Sequence, residues 1–329
     1  MTLLHVILLA IVQGLAELLP VSSSAHVIVA EKLMGMNPAA PEMTLLLVML
    51  HTGTMIAVIV YFWRRWRRTF FNSAHEFRNF AVALIIATIL TGIVGGGIIE
   101  FIEKIVMRHQ PHAWVEQLFN RLDLIAGALA VAGVFILIAG IAENRRAKFA
   151  TGAENATAGE MAPAAPAKPL SGAATASVTA AAGVIDKRAS EIVASSEMRP
   201  AQYSWTGAIQ GLCVPFRGFS RSGATISTGL LLGVARRTAE DFSFALAVIL
   251  TPPADAREIW RLYEAQHHQL AGVIPAASAS VLGMIFAFAA GLLALKWLSS
   301  WLETGRWHLF GIYCLAAAVA VAYLQHIGF

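Results

Sequence analysis

The most concentrated polar chemistry in this chain lies at residues 218–225, which read GFSRSGAT. The segment holds one arginine, three hydroxyl side chains and two glycines: Arg221; Ser220, Ser222 and Thr225; Gly218 and Gly223. A guanidinium among hydroxyls, on a backbone that can turn its N–H groups inward, is typical of a phosphate or pyrophosphate site. The apolar residues that follow predict a helix, whose N-terminus would favour an anion. A simple helix cap in a loop is the alternative interpretation.

A second polar segment lies near the N-terminus, at residues 13–26, and reads QGLAELLPVSSSAH. Gln13 and Glu17 are four residues apart, so on a helix they would share one face that leads into the serines. An ionisable residue at membrane depth is costly, which makes Glu17 a candidate for function; a helix end among lipid headgroups is the alternative. His26 follows Ser23 by three residues and could act as its general base or accept a phosphoryl group itself.

Together the two segments hold the groups that phosphoryl transfer needs. The hydroxyls around Arg221 would hold the anion, Ser23 or His26 would be the nucleophile, and Glu17 would bind a divalent cation or move a proton. The chain has no P-loop lysine and no glycine-rich nucleotide fingerprint, so a nucleotide is not indicated. The sequence also indicates no nucleic-acid partner.

The composition indicates an all-α polytopic membrane protein. Of the 329 residues, 57% are hydrophobic and only 13% are charged, whereas about a quarter of a soluble domain is charged. We predict about six full spans, at residues 44–63, 80–99, 122–142, 242–260, 273–298 and 307–324. His51 and Thr52 lie inside the first span, where packing is the favoured interpretation and a role beside the site is the alternative.

The arginines predict the orientation of these spans. Clusters at residues 64–68, 145–148 and 236–237 each lie at a span or helix end and indicate the cytoplasmic side. Residues 100–120, of mixed charge, are expected to form an interfacial helix on the outer side. Residues 151–196 are rich in Ala, Gly, Ser, Thr and Pro and predict a flexible insert without a core of its own.

An internal repeat suggests how the chain is organised. Residues 1–35 and 205–234 each read as two half-length helices joined by a polar turn, and the QGL of residues 13–15 returns at residues 210–212. The arginine-derived orientation makes these re-entrant hairpins enter from opposite sides, which defines an inverted-topology repeat; chance similarity is the alternative. The predicted division is a first repeat at 1–148, a cytoplasmic insert at 149–204 and a second repeat at 205–329.

The two motifs, QGLAELLPVSSSAH at 13–26 and GFSRSGATIS at 218–227, closely resemble the signature motifs of the bacterial undecaprenyl-pyrophosphate phosphatases of the bacitracin-resistance type. The resemblance extends from residue 1 to about residue 327, except for 149–200. It implies an inner-membrane enzyme, open to the periplasm, that hydrolyses undecaprenyl pyrophosphate to the monophosphate with magnesium or calcium. Such an enzyme recycles the lipid carrier for peptidoglycan synthesis and gives bacitracin resistance.

The resemblance also implies the roles of individual residues. The catalytic residues would be Glu17, Ser23, His26 and Arg221, with Glu17 also binding the metal. The expected substrate-binding residues are Gln13, Ser22, Arg217, Gly218, Ser220, Ser222 and Thr225. The partners would be a polyprenyl pyrophosphate and membrane lipid, and a homodimer is an open expectation.

Two positions depart from the family's usual motifs. Gln13 stands where a second glutamate is common, and a neutral amide adds no charge to a metal site. Arg217 stands where proline is usual and would either add a cation to the phosphate site or accompany a rebuilt turn.

A transporter or flippase of polyprenyl phosphate is the alternative function, alone or in addition to hydrolysis, because broken helices in inverted repeats are a transporter design. A transporter would need Arg221 for binding but would not need Ser23 and His26 as a chemical pair. A purely structural scaffold would explain neither polar turn.

Overall fold

A computed structural model describes residues 2–108, 115–160, 198–266, 270–302 and 306–328. These residues contain ten α-helices and no strand, which confirms the all-α prediction. The helices are α1 (Leu3–Ala16), α2 (Ser23–Leu33), α3 (Pro41–Thr69), α4 (Ala74–Phe101), α5 (Leu122–Glu160), α6 (Pro200–Cys213), α7 (Arg221–Leu231), α8 (Arg236–Ala265), α9 (Leu270–Leu302) and α10 (Trp307–His326).

Five helical stretches among the described residues are long and apolar enough to cross a membrane: Pro41–Thr69, Ala74–Val106, Leu122–Arg146, Ile274–Lys296 and Trp307–His326. The sequence predicted about six, and the difference lies in helix α8. This helix has 30 residues, but it contains Pro252 and Pro253 and several charged side chains in its second half. Its charges keep α8 below the hydropathy of a membrane span, although its length would suffice.

Two predicted boundaries differ from the structure. Residues 100–120 do not form a separate interfacial helix in their described part, because α4 continues into a π-helix at Ile102–Val106 and a 3-10 helix follows at Val115–Asn120. At the predicted insert 149–204, helix α5 continues to Glu160 and α6 begins at Pro200. The rest of the insert, residues 161–197, lies outside the described residues.

Both polar turns lead into a helix through a serine with an unusual backbone. Ser22 and Ser220 have φ angles of 65° and 55°, and they are the non-glycine residues with positive φ in the described part of the chain. Each is the N-cap of the next helix, α2 or α7. Left-handed backbone is uncommon outside glycine and concentrates at functional turns. It aims the first residues of both helices, Ser23 and Arg221, into the space between the turns.

Helix packing follows a crossed pattern between the two halves of the chain. Helix α1 packs against α9, and α6 packs against α4, while α3 contacts both α8 and α9. Gly14 and Gly211, the glycines of the two QGL tripeptides, lie at the two crossings: an added Cβ would meet Ala290 Cβ at 2.5 Å and Val94 Cβ at 2.7 Å. Small residues let membrane helices approach closely, so the paired glycines bring both hairpins into the bundle.

The arginine clusters gather at one end of the bundle. Arg65, near the end of α3, donates from Nε to Asp241 of α8 at 2.9 Å. Arg236 forms an ion pair with Glu143 of α5, and Arg146 donates to the carbonyl of Leu230 at 2.7 Å. These contacts place the three basic clusters on the same side of the molecule, as the sequence-based orientation requires.

Candidate active site

The two polar turns meet through Glu17 and Arg221. Glu17 follows the last residue of α1 and is 6% exposed, and Arg221 is the first residue of α7. Arg221 Nη2 donates to Glu17 Oε1 at 2.8 Å. A carboxylate in this position would be costly to bury alone, so the guanidinium stabilises it and connects the hairpins.

The second oxygen of the same carboxylate receives two more hydrogen bonds. Gln13 Nε2 donates to Glu17 Oε2 at 2.6 Å, which is the contact that their four-residue spacing predicts. Ser23 Oγ donates to the same oxygen at 2.5 Å. Gln13 is fully buried, so the structure places it behind Glu17 as a support for the carboxylate.

His51 of α3 is the third group beside this serine and carboxylate. Its Nε2 lies 3.2 Å from Glu17 Oε2 and 3.5 Å from Ser23 Oγ. Its Nδ1 is 2.8 Å from the carbonyl of Leu47, which can only accept, so Nδ1 carries the proton. In the neutral ring, Nε2 is therefore an acceptor, and it can accept from Ser23 once that hydroxyl turns from Glu17 Oε2 toward His51. From the sequence, packing was the favoured interpretation of His51; the structure places its side chain beside Glu17 and Ser23, as the alternative interpretation had it.

His26 lies outside this arrangement, although the sequence placed it there. Its Nδ1 donates to the carbonyl of Ser22 at 2.8 Å, and its Nε2 accepts from the Tyr313 hydroxyl at 2.8 Å. The ring also stacks on Tyr313 of α10, with centroids 5.7 Å apart. Both ring nitrogens of His26 are thus occupied by Ser22 and Tyr313, and the ring stabilises the backbone of the turn at Ser22.

A cavity of about 440 Å³ opens onto these groups. Glu17, Ser23 and His51 form part of its wall together with Arg221, and residues of α4 and α8 complete it. Its lining combines these polar groups with apolar side chains and with glycines of α4. Such a mixture suits a ligand that has a charged head and an apolar body.

The other predicted phosphate-binding residues divide into two groups. Five line the cavity: Ser22, Arg217, Gly218, Ser220 and Ser222. The Ser22 hydroxyl is buried without a hydrogen-bond partner, and Ser220 Oγ accepts from Gly223 N at 3.2 Å as a helix cap. Thr225 does not line it; its hydroxyl donates to the carbonyl of Arg221 at 2.8 Å and so fixes the start of α7.

Arg217 takes the place of the proline that the family motif usually has. Its guanidinium lies over the ring of Phe119, 4.7 Å from the centroid, and its side chain lines the cavity. Gly218 next to it has φ 108°, a conformation that favours glycine, and an added Cβ would meet the carbonyl of Ile125 at 2.7 Å. The turn therefore forms without a proline at position 217, and Arg217 adds a cation to the wall of the cavity.

Sequence reasoning missed a charged group on α8 that also reaches the cavity. Arg257 and Glu258 line the wall, and Arg261 lies one turn further along the helix. The signal was present in the sequence, because ionisable residues within or next to a predicted span are costly and mark functional regions. The apolar first half of residues 242–260 predicts the span, whereas these charges lie in and just after its second half.

The sequence pattern of the bacitracin resistance protein BacA family matches residues 6–320 of this chain. The chain belongs to this family. It is 45% identical to "Undecaprenyl-diphosphatase 2" of Acinetobacter baylyi over 96% of this chain and 95% of the relative. It is 31% identical to "Undecaprenyl-diphosphatase" of Desulfosudis oleivorans over 94% and 93% of the two chains. It is 30% identical to "Undecaprenyl-diphosphatase 2" of Burkholderia orbicola over 97% and 95%.

In this member of the BacA family, the donor set at the cavity suits a cation that arrives with a phosphate ligand. The described residues hold no cluster of three or more His, Cys, Asp or Glu side chains that could form a metal site alone. Glu17 and the unpartnered hydroxyl of Ser22 offer oxygen atoms at the same wall. Magnesium commonly binds through one or two carboxylates together with substrate phosphates and water, so these two residues fit such an ion.

Proposed function

We propose that this chain hydrolyses undecaprenyl pyrophosphate to undecaprenyl phosphate and inorganic phosphate. The observation that carries the proposal is the convergence of Ser23, Glu17, His51 and Arg221 on one cavity wall, from three segments that are distant in sequence: the turn from α1 into α2, helix α3, and the start of α7. This set contains a nucleophile, a base and a cation for a phosphoryl group. The printed names of the relatives, 30–45% identical over nearly their full length, supply the substrate.

Ser23 is the proposed nucleophile, and His51 is its proposed base. Ser23 Oγ attacks the terminal phosphorus while its proton passes to the free lone pair of His51 Nε2. The resulting imidazolium lies 3.2 Å from the carboxylate of Glu17, which stabilises its charge. In a serine triad the acid holds the ring nitrogen remote from the serine, whereas here Glu17 and Ser23 both face Nε2 and the Leu47 carbonyl holds Nδ1. The 3.5 Å from Ser23 Oγ to His51 Nε2 must shorten when substrate binds.

Arg221 and the leaving group complete the first step. As the new Ser23–phosphorus bond forms, the bond from phosphorus to the bridging oxygen breaks, and undecaprenyl phosphate leaves with that oxygen. Arg221 neutralises charge on the transferred group, as arginines do in phosphoryl transfer. His51 gives up its proton as the lipid phosphate departs. In the second step water attacks the phosphorus of the phosphoserine, and His51 accepts the water proton and passes it to Ser23 Oγ as the phosphorus–Oγ bond breaks, which releases inorganic phosphate and restores Ser23.

A divalent cation, magnesium or calcium, is part of the proposal. Glu17 and Ser22 would hold it against the phosphates, where it would supply positive charge. The residues of this chain keep the roles given above, since the base and the nucleophile do not depend on the ion. His26 acts in this scheme as a positioning residue, because its bond to the Ser22 carbonyl supports the turn that presents Ser23.

We further propose that the two hairpins are re-entrant and belong to inverted repeats at 1–148 and 205–329. The equivalent serines Ser22 and Ser220, both left-handed, support this, as do the crossed contacts of α1 with α9 and of α6 with α4. The basic clusters lie at the end of the bundle away from the cavity. By the positive-inside rule the cavity would then face the periplasm, with the chain in the inner membrane. The insert at 149–204 would be cytoplasmic, and a homodimer stays a prediction.

The test is phosphate release from undecaprenyl pyrophosphate by purified protein, with magnesium, with calcium and with chelator. We expect cation-dependent release from the wild type and a loss of about 10³-fold or more in Ser23→Ala. Ser278→Ala is the matched control, because this hydroxyl bonds only to its own helix, at the Pro275 carbonyl. No release by folded wild-type protein that still binds the lipid would contradict hydrolysis and favour transport.

A further inference from the structure

Arg257 is a third arginine on the wall of the cavity, and neither the motifs nor the proposed steps use it. The cavity is lined by three arginines, Arg217, Arg221 and Arg257, and by two glutamates, Glu17 and Glu258. Arg221 is already paired closely with Glu17 at 2.8 Å. A pyrophosphate carries more negative charge than one phosphate, so Arg221, which is balanced by a carboxylate, needs further cations beside it. Arg217 lies over the ring of Phe119 in the same turn as Arg221, whereas Arg257 approaches the cavity from α8.

The two arginines in the second half of α8, Arg257 and Arg261, differ in how deeply they are buried. Arg261 is 6% exposed and donates to Thr44 Oγ1 at 2.6 Å and to the Ala39 carbonyl at 2.9 Å, so it connects α8 to the start of α3. The side chain of Arg257 is 37% exposed and meets carboxylates at longer distances, 3.3 Å to Glu258 and 3.7 Å to Glu103. Arg261 therefore has a structural role, whereas Arg257 lies at the cavity and can turn toward an anion.

The carboxylates around Arg257 allow this movement without leaving a buried charge alone. Glu258 is 3% exposed and also lies 3.4 Å from Arg261, so it keeps a cation if Arg257 turns away. Glu103, in the π-helix that follows α4, also accepts a hydrogen bond from Val115 N at 3.0 Å. Glu103 thus keeps a partner as well, and it acts as a weak competitor for the guanidinium.

We propose that Arg257 binds the second phosphate of the substrate, the one that stays with the lipid, while Arg221 binds the phosphate that is transferred to Ser23. This inference rests on the proposed hydrolysis. It makes Arg257 the residue that distinguishes a pyrophosphate from a single phosphate, because only a pyrophosphate has a second phosphate group for it to bind.

The experiment compares Arg257→Gln, Arg257→Lys and Glu103→Gln with the wild type. Titration calorimetry with inorganic pyrophosphate and with inorganic phosphate requires no turnover, and the KM and kcat for the lipid substrate are measured beside it. Arg257→Gln should weaken pyrophosphate binding and raise KM by about 10- to 100-fold, as for a lost charged hydrogen bond, with phosphate binding changed less than about 2-fold. The pyrophosphate affinity of Arg257→Lys should lie between those of the wild type and Arg257→Gln.

Glu103→Gln separates a ligand from a structural ion pair. Its amide oxygen can still accept from Val115 N, but it no longer competes for Arg257, so pyrophosphate binding should be as strong as in the wild type or stronger. A structural role for Arg257 predicts instead that Glu103→Gln and Arg257→Gln both weaken binding. That result, or equal losses for phosphate and pyrophosphate, would overturn the proposal.

Arg121→Gln is the control for a general loss of charge, because Arg121 pairs with Asp123 outside the cavity wall. It should leave both anions bound as in the wild type. Failure of the wild type to release phosphate would contradict the proposed function alone, since pyrophosphate binding would still report on Arg257.

Discussion

Arg221 Nη2 and Glu17 Oε1 lie 2.8 Å apart, and this contact joins two turns whose residues are 204 positions apart in the chain. The pair is partly withdrawn from water, with Glu17 only 6% exposed. Removal of one member would leave the other as an unpaired charge, a change that costs about 3–5 kcal/mol in buried pairs. The same contact thus joins the two helix–turn–helix segments and positions the guanidinium of Arg221 near Ser23.

We predict that Arg221→Ala reduces phosphate release by about 10²- to 10³-fold, because the charge of the transferred group loses its main protein partner. Arg221→Lys should restore part of the activity, since a point charge replaces the planar fork only incompletely. Phosphate release and melting temperature are measured together, with Arg121→Ala as the control. Near-normal release by well-folded Arg221→Ala would exclude the assigned role.

The sequence predicted the parts of this site that lie in local motifs. The spacing of Gln13 and Glu17 predicted their contact, and the hydroxyls near Arg221 predicted an anion site at a helix start. The Gln13–Glu17 contact and the helix start at Arg221 are confirmed, because helix periodicity and glycine-rich turns are local properties, and the anion site stays a prediction. The all-α class followed equally from the apolar composition.

The contributions from distant helices could not be read in the same way. His51 and Arg257 reach the cavity only because α3 and α8 pack beside the turns, and a single sequence contains no record of that packing. His26 shows the opposite case, in which nearness in sequence does not lead to a side-chain contact. Its closeness to Ser23 in sequence suggested a chemical pair, but helix geometry directs its ring toward the Ser22 carbonyl and Tyr313 of α10.

The two histidines should respond differently to substitution. His51→Asn and His51→Gln should both lower kcat by about 10²- to 10⁴-fold, because neither amide can replace a general base. His26→Ala should also lower activity, but His26→Asn should recover much of it, because its amide can donate to the Ser22 carbonyl as Nδ1 does. The measurement is kcat over a range of pH for all four variants. Recovery in His51→Asn, or none in His26→Asn, would reverse the assigned roles.

Gln13→Glu should make the activity more dependent on the cation. Gln13 Nε2 donates to Glu17 Oε2 at 2.6 Å, and a carboxylate there would face another carboxylate unless a proton or a cation lay between them. We expect the half-saturating magnesium or calcium concentration to fall by about 10-fold, since ligand charge tunes cation affinity. Gln13→Asn is the neutral control. An unchanged cation dependence in Gln13→Glu would place the ion elsewhere.

Two glycines in contacting helices give a test of the packing. An added Cβ at Gly207 of α6 would meet the Ala87 carbonyl at 2.4 Å, whereas nothing lies within 4 Å at Gly97 of α4. Gly207→Ala should therefore destabilise the protein by about 1–3 kcal/mol. Gly97→Ala should not reduce stability. Melting temperatures in detergent compare the two variants, and equal values would argue against the close α4–α6 crossing.

The central claim is that Ser23 carries the transferred phosphate, and trapping of the covalent intermediate tests it most directly. Undecaprenyl pyrophosphate labelled in its terminal phosphate is mixed with the enzyme, and the reaction is quenched within milliseconds. One half is quenched in acid, which preserves phosphoserine, and the other in alkali, which preserves phosphohistidine; peptides from both are mapped by mass spectrometry. We predict label on Ser23 in the wild type and no label in Ser23→Ala. In His51→Gln the amount of label should increase if the attack of water slows more than the attack of Ser23. Label on His26, or full phosphate release by Ser23→Ala, would contradict the account.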